Sequence, residues 1–280
     1  MPARLRAAIR KGCIAIPGAY NALTARLIER VGFDAVYVSG AGLANATAGL
    51  PDIGLLTLSE VAQLVSYIAA AVDIPVIVDA DTGFGGPANA ARTVRLLESA
   101  GAAGLHIEDQ AFPKRCGHLA GKSLVDVDEM AEKLRAATAA RRDRDFLIIA
   151  RTDARSVEGF DSAIHRARAY VAAGADAIFP ESLQTSGEFR RFAREIDATL
   201  LANMTEFGRS PLLSVRQLAS MGYRMVIFPQ TALRIAMRSQ ETALKELKRR
   251  GTQRGSIGKM QTRAELYDLL DYDPTKEWSG

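Results

Sequence analysis

Two cysteines in 280 residues, Cys13 and Cys116, are too few for a disulfide framework. No apolar run approaches the ~20 residues that a membrane-spanning helix requires. The basic start, Met1 to Gly12, has neither the apolar stretch nor the small-residue cleavage site of a secretory leader. These absences exclude the disulfide-rich and membrane classes and make a reducing, cytoplasmic setting the expectation. Charge of one sign is scarce too. The chain carries 36 basic and 32 acidic residues, and a net +4 is too weak a field to select nucleic acid or a membrane surface. The one dense basic run, Lys245 to Arg254, reads as the solvated end of a helix. Gly83 to Gly86 follows a strand-like run but lacks the spacing of a dinucleotide-binding loop. No Cys/His pattern of a zinc site occurs either.

What the chain does have is rhythm. Short β-rich runs recur at Cys13–Tyr20, Ala35–Gly40, Pro75–Asp81, Gly104–Gln110, Phe146–Asp153, Ala177–Glu181, Thr199–Met204 and Met225–Gln230. Most are continuously apolar, as strands buried on both faces of a parallel sheet must be. Amphipathic segments lie between them, such as Leu58–Val72, with Ser59 as its candidate cap, Asn89–Ala102, Asp128–Arg141 and Phe160–Ala175. Three of these segments meet a glycine just before the next strand. Eight such units without a linker predict an α/β fold, a (β/α)8 TIM barrel spanning 1–280 as one domain. A doubly wound open sheet is the rival. The tail, 231–280, exceeds one closing helix and predicts an additional C-terminal helical segment available to another subunit.

In such a barrel the reacting groups gather where the strands end. Read that way, Asp79, Asp81, Glu108 and Glu181 share one mouth, with Arg151 as counter-charge. Any one of these acids could cap the helix that follows it. Together they repel one another unless a cation is present, and hard oxygen donors favour Mg2+ or Mn2+ over zinc. Asp79 and Asp81, two apart on a strand, would face the same ion, and Asp52 could reach it through water. Backbone N–H groups and a hydroxyl around Ser39, Gly40 and Ala41 suit a carboxylate.

Cys116 stands apart from all this, in the polar stretch PKRCGHLAGK (Pro113 to Lys122). Glycine-flanked polar loops are poor places for a core thiol, whereas Cys13 leads an apolar run and reads as core. A thiol with a pKa of about 8.5 still holds a transferable proton near neutrality. Lys114, Arg115 and His118 beside it are expected to lower that pKa and to attract an anion.

Together VDADTGFG, HIEDQ, PKRCGHLAGK, ARTDA and LANMTEFGRSPL resemble the isocitrate lyase/phosphoenolpyruvate mutase superfamily, from about Tyr20 to about Tyr267. K-R-C-G-H resembles the signature of its carbon–carbon lyase branch. NMTEFG and the tail GTQ…MQTRAELYDLL are similar to the 2-methylisocitrate lyase group within that branch. The resemblance implies cleavage of a 2-hydroxy di- or tricarboxylic acid, 2-methylisocitrate, to pyruvate and succinate by a retro-Claisen route. It implies Mg2+ held directly by Asp79, with Asp81, Asp52 and Glu108 holding its waters. The loop carrying Lys114, Arg115, Cys116, Gly117 and His118 would close over substrate, and Cys116 would protonate the carbanion. Arg151 would bind oxygens at the cleavage site, and Tyr37 would take the 2-hydroxyl proton. Ser39, Gly40 and Ala41 would hold the pyruvate-end carboxylate, and Glu181, Asn203 and Thr205 the succinate side. A cytoplasmic homotetramer with an exchanged late helix is implied as well. Ala41 and the pair Leu119–Ala120 depart from the group's pattern, and PKRCGHLAGK and PGAYNALTARLIE (Pro17 to Glu29) resemble more the relatives that act on 2,3-dimethylmalate or other 2-alkylmalates and the carboxyphosphonoenolpyruvate mutase. Those lyases, a carboxyphosphonoenolpyruvate mutase, an oxaloacetate decarboxylase and a barrel that only binds its ligand stay open as alternatives.

Overall fold

A computed structural model describes residues 1–277. Its eight strands are β1 (Ile14–Ala19), β2 (Val36–Val38), β3 (Val76–Asp79), β4 (Gly104–Glu108), β5 (Leu147–Thr152), β6 (Ala177–Pro180), β7 (Thr199–Asn203) and β8 (Met225–Phe228). Each lies within a run anticipated from the sequence. They pair in chain order, all parallel, and β1 closes on β8 through Ile14 opposite Met225. The result is a (β/α)8 barrel, and the open-sheet alternative falls.

Two apolar layers hold it. Inside the barrel pack Ile16, Tyr37, Ile77, Ile149, Phe179, Leu201 and Ile227. A larger layer lies between the strands and the surrounding helices, for example Val78, Val94, Leu105, Leu134 and Ile148. Burial on both faces is why the strands lack polar alternation: every residue of β4 and β5 is buried. The inter-unit glycines Gly32, Gly101 and Gly174 sit at φ 97°, 95° and 101°, the left-handed stop that glycine supplies at a helix end.

Three local features depart from the sequence reading. The basic start is a helix, Pro2–Lys11, whose Leu5 and Ile9 join the interior layer. Its Arg6 bonds the Asp145 carbonyl and the Asp176 carboxylate ahead of β5 and β6, so the helix closes the barrel's N-terminal end. Leu5 and Ile9, four apart, are the only sequence sign of that face. The cap of Leu58–Ala70 is Thr57, in a reciprocal box with Glu60, and not Ser59. Cys13 is half-buried at the edge of the core rather than within it.

The C-terminal extension starts with a 20-residue helix, Thr231–Arg250, which exposes Ile235, Met237 and Leu244. Its basic end is solvated, as expected. The last three residues of the expected extension lie outside the described ones. Among the described residues no helix is long and apolar enough to cross a membrane.

Candidate active site

The C-terminal strand ends surround a cavity of about 450 Å³. Tyr37, Ser39, Ala41, Asp52, Asp79, Cys116, Gly117, His118, Arg151, Glu181, Asn203 and Thr205 all line it. A larger cavity, about 740 Å³, lies outside the mouth among Leu55, Phe84, Phe112 and Val125. It reaches Lys114 and Asp81 but neither Cys116 nor Arg151, so the chemistry belongs to the smaller one.

Asp79 ends β3, buried, and accepts from the Gly40 N–H at 3.2 Å. Burial alone would raise its carboxyl, but His106, Lys114 and Arg151 outweigh it and hold the group down to about 2. Asp81 is not on the strand. It stands at φ 46°, in the turn after β3, so strand alternation is not what aligns the two acids. The turn achieves the same end: a side chain added at Gly40 would lie 3.1 Å from Asp79 Oδ2 and 3.3 Å from Asp81 Oδ1. Both carboxylates converge on the Gly40 backbone, and a side chain there would have to push them back by a few tenths of an ångström. Burial raises Asp81 to about 6, with Lys114 opposing and Asp79 and Asp52 adding to the rise. Glu108, fully buried at the end of β4, is raised by desolvation.

Lys114 is buried among these acids. Its ammonium pairs with Asp52 and lies 2.6 Å from Asp81 Oδ1. Desolvation would lower its pKa, but Asp81, Glu108 and Asp79 overcome that and raise it. Even so, Glu108 Oε1 remains buried without a hydrogen-bond donor, and Glu108 Oε2 and Asp81 Oδ1 are met only by the ion-pair contacts of Arg151 and Lys114. Unsatisfied hard oxygens of that kind suit a hydrated divalent cation. Among the described residues no three His, Cys, Asp or Glu side chains converge as a complete ligand set. Mg2+ usually binds through one or two carboxylates and keeps several waters, so it does not need a full protein ligand set. The donor set thus fits the expected metal.

Arg151, from β5, is saturated with acids. Nε and Nη2 bond Asp153 at 2.9 and 3.2 Å, Nη1 is 3.1 Å from Glu108, and Nη2 is 3.7 Å from Glu181. Its guanidinium also lies over the Phe179 ring at 5.2 Å. Glu181 accepts from Asn203 at 3.1 Å and pairs with His118 Nε2 at 2.9 Å. Despite burial, Arg151 and His118 hold its carboxyl well below the usual range.

Tyr37 and His106 form a buried pair, with the phenol oxygen 2.9 Å from Nε2. Burial pushes the phenol well up and His106 down to about 4. Both are neutral near pH 7, so Tyr37 is a phenol rather than the phenolate that a direct base would need.

The cysteine loop lies across the mouth. Its stem is zipped by Ala111 N–H to the Ser123 carbonyl and Val125 N–H to the Asp109 carbonyl. Gln110 clamps the Arg115 backbone from both sides, each bond 2.8 Å. The side chain of Arg115 is exposed and does not line the cavity, contrary to expectation. Cys116 departs from expectation too. Burial raises its thiol, and the neighbouring cations do not depress it, because Lys114 is turned to Asp52 and Asp81 and Arg115 to solvent. Leu119 and Ala120 are exposed and off the cavity wall.

Sequence reasoning missed a buried tier behind the mouth. Asp109 accepts from Thr152 and Tyr170 hydroxyls at 2.7 and 2.9 Å and from the Asp153 N–H at 2.9 Å. Ser182 and Gln230 also reach site residues, namely Gly117 and Ser39. Their signal was position alone: each follows directly on a strand end already read for its acid, or lies in PQT after β8.

The phosphoenolpyruvate phosphomutase family model matches residues 5–248. The chain is 54% identical to 2-methylisocitrate lyase of Aeropyrum pernix, over 96% of this chain and 86% of that one. It is 57% identical to a probable 2-methylisocitrate lyase of Corynebacterium glutamicum, over 92% and 85%. It also superposes on a crystal structure of 2,3-dimethylmalate lyase with a TM-score of 0.91 and 38% identity, covering 96% and 91%.

Proposed function

The chain belongs to the isocitrate lyase/phosphoenolpyruvate mutase superfamily, and from that premise we propose that it is a carbon–carbon lyase cleaving 2-methylisocitrate to pyruvate and succinate. One observation carries the reading. A thiol kept protonated by burial shares a small cavity with a low-pKa aspartate and a fixed guanidinium. A retro-Claisen cleavage needs those three functions: a proton for the carbanion, an anchor for a cation, and a fixed positive charge at the oxygens.

Asp79, with Asp81, Asp52 and Glu108 around it, would hold Mg2+ or Mn2+. When bound, that ion would supply Lewis-acid stabilisation of charge on the substrate's oxygens. Arg151 binds the carboxylate and hydroxyl oxygens at the reacting carbon, its plane set by Asp153. The backbone at Ser39, Gly40 and Ala41 receives the pyruvate-end carboxylate. Glu181, Asn203, Thr205 and His118 line the opposite end, where the succinate half lies. As the C–C bond breaks, its electron pair goes to the succinate-side carbon and the hydroxyl becomes the ketone of pyruvate. The hydroxyl proton is received at Tyr37, whose own proton can pass to His106 Nε2. The Cys116 thiol delivers a proton to the carbanion and is left as thiolate.

The 2,3-dimethylmalate lyase likeness favours one second reading, a smaller 2-alkylmalate as substrate. Leu119 and Ala120 lend it little, since neither faces the cavity. The test is kcat/KM for pyruvate release from 2-methylisocitrate and from 2,3-dimethylmalate, with Mg2+. The proposal requires the first to exceed the second by at least ~10-fold. The reverse order moves the substrate, and no pyruvate from either removes the lyase. A cytoplasmic homotetramer is part of the same reading, supported by two unbridged cysteines and the apolar residues exposed on Thr231–Arg250.

A further inference from the structure

Lys122 is the last residue of PKRCGHLAGK, and its side chain is 1% exposed. An ammonium so buried needs a full set of acceptors. It has two: the carboxylate of Asp153, at 2.6 Å, and the main-chain carbonyl of Gly117. That carbonyl lies between Cys116 and His118. Ser182 Oγ donates to the same oxygen at 2.9 Å, and Ser182 itself stands at φ 60°, an uncommon conformation for serine. Gly117 has no room to shift inward. A side chain there would overlap Arg151 and come 2.6 Å from Glu181 Cγ.

Asp153 thus serves two masters. One face of its carboxylate fixes Arg151 through two hydrogen bonds, and Oδ1 also receives Lys122. Behind it, the Asp109 carboxylate accepts the Asp153 N–H and the Thr152 hydroxyl, which anchors the end of β5. The loop's glycine carbonyl and the catalytic guanidinium are therefore referred to a single buried acid.

We infer that Lys122 is a positioning residue: it ties the Gly117 carbonyl to the carboxylate that orients Arg151, and so sets Cys116 against the reacting carbon. This deepens the lyase reading and rests on it for the meaning of the Cys116 position. Losing the tie frees the loop, while Arg151 keeps its two hydrogen bonds to Asp153. A displacement of about 1 Å at a proton donor can cost ~100-fold in rate.

The test replaces Lys122→Met, close in length but uncharged, alongside Ser182→Ala, which removes the second donor to Gly117 together with the Ser182 contacts to His118 Nδ1 and Glu181. Two quantities are read for each: kcat and KM for pyruvate release, and the rate at which iodoacetamide alkylates Cys116 in the substrate-free enzyme. Cys13 serves as internal reference, with peptides quantified by mass spectrometry. The expected result for Lys122→Met is a kcat reduced at least ~10-fold with KM within ~3-fold, and Cys116 alkylated several-fold faster than in the wild type while Cys13 is unchanged. Ser182→Ala should move both in the same direction by less, and it carries the test if Lys122→Met does not fold. Alkylation of Cys116 at the wild-type rate in the folded variants would overturn the inference. A wild type that releases no pyruvate, beside faster alkylation in Lys122→Met, would instead refute the lyase reading and leave the loop tie standing.

Discussion

At the scale of residues, the site works by contrast between neighbours. Asp79 is held down to about 2 because His106, Lys114 and Arg151 outweigh its desolvation, while Asp81, two positions on, is raised to about 6 by burial, with Asp79 and Asp52 adding to it and Lys114 opposing. Cys116 is raised by burial rather than lowered by its basic neighbours. The sign follows directly. Alkylation needs the thiolate, so its rate should keep climbing above pH 9, past the midpoint of an ordinary thiol, and should lag a free thiol at pH 8. A Cys116 profile that levels off below pH 8 would contradict the burial that raises the thiol. Arg151→Lys should lower kcat/KM by ~100-fold, since an ammonium cannot hold Asp153 bidentately and reach substrate oxygens as well. Steady-state kinetics checks it, and a loss under threefold would deny Arg151 its role. The acids and Arg151 were legible in the sequence because strand ends in a barrel point to one place. The direction of the Cys116 shift was not, because it depends on where Lys114 and Arg115 turn, and a linear sequence puts both beside the thiol.

At the scale of elements, close approach governs what the barrel tolerates. Gly104 opens β4 opposite Leu147, and a methyl group there would lie 2.7 Å from Leu147 Cβ and 2.8 Å from its carbonyl oxygen. Gly104→Ala must part β4 from β5, so it should cost about 1–3 kcal/mol, read as a lowered urea midpoint with unchanged slope. An unchanged midpoint would mean the strands shift freely. All eight strands were legible, most of them as continuous apolar runs. The helix Pro2–Lys11 was not, because two apolar residues among basic ones make a weak periodic signal, and its purpose is tertiary: closing the barrel floor. The Asp109 tier was hidden for a related reason. In HIEDQ the eye falls on Glu108, yet Asp109 points outward from the strand end to Thr152 and Tyr170.

At the scale of the molecule, an anionic mouth is asked to receive a polycarboxylate. Asp52, Asp79, Asp81, Glu108, Asp153 and Glu181 outnumber Lys114, Lys122 and Arg151. Such a site repels its own substrate unless a divalent cation enters, so a chelator should abolish turnover and added Mg2+ restore it. The helix Thr231–Arg250 adds a second demand, for it leaves Ile235, Met237, Leu244 and Leu247 uncovered. Sedimentation should show a tetramer, and a monomer at micromolar concentration would leave those residues unexplained. The central claim is that Cys116 gives the proton that completes carbon–carbon cleavage. The most direct measurement is pyruvate release from 2-methylisocitrate with Mg2+, by the wild type and by Cys116→Ala. Wild type should turn over clearly, and the variant's kcat should be at least ~1000-fold lower, near the upper part of what acid–base catalysis supplies. Equal turnover by the two proteins would contradict it.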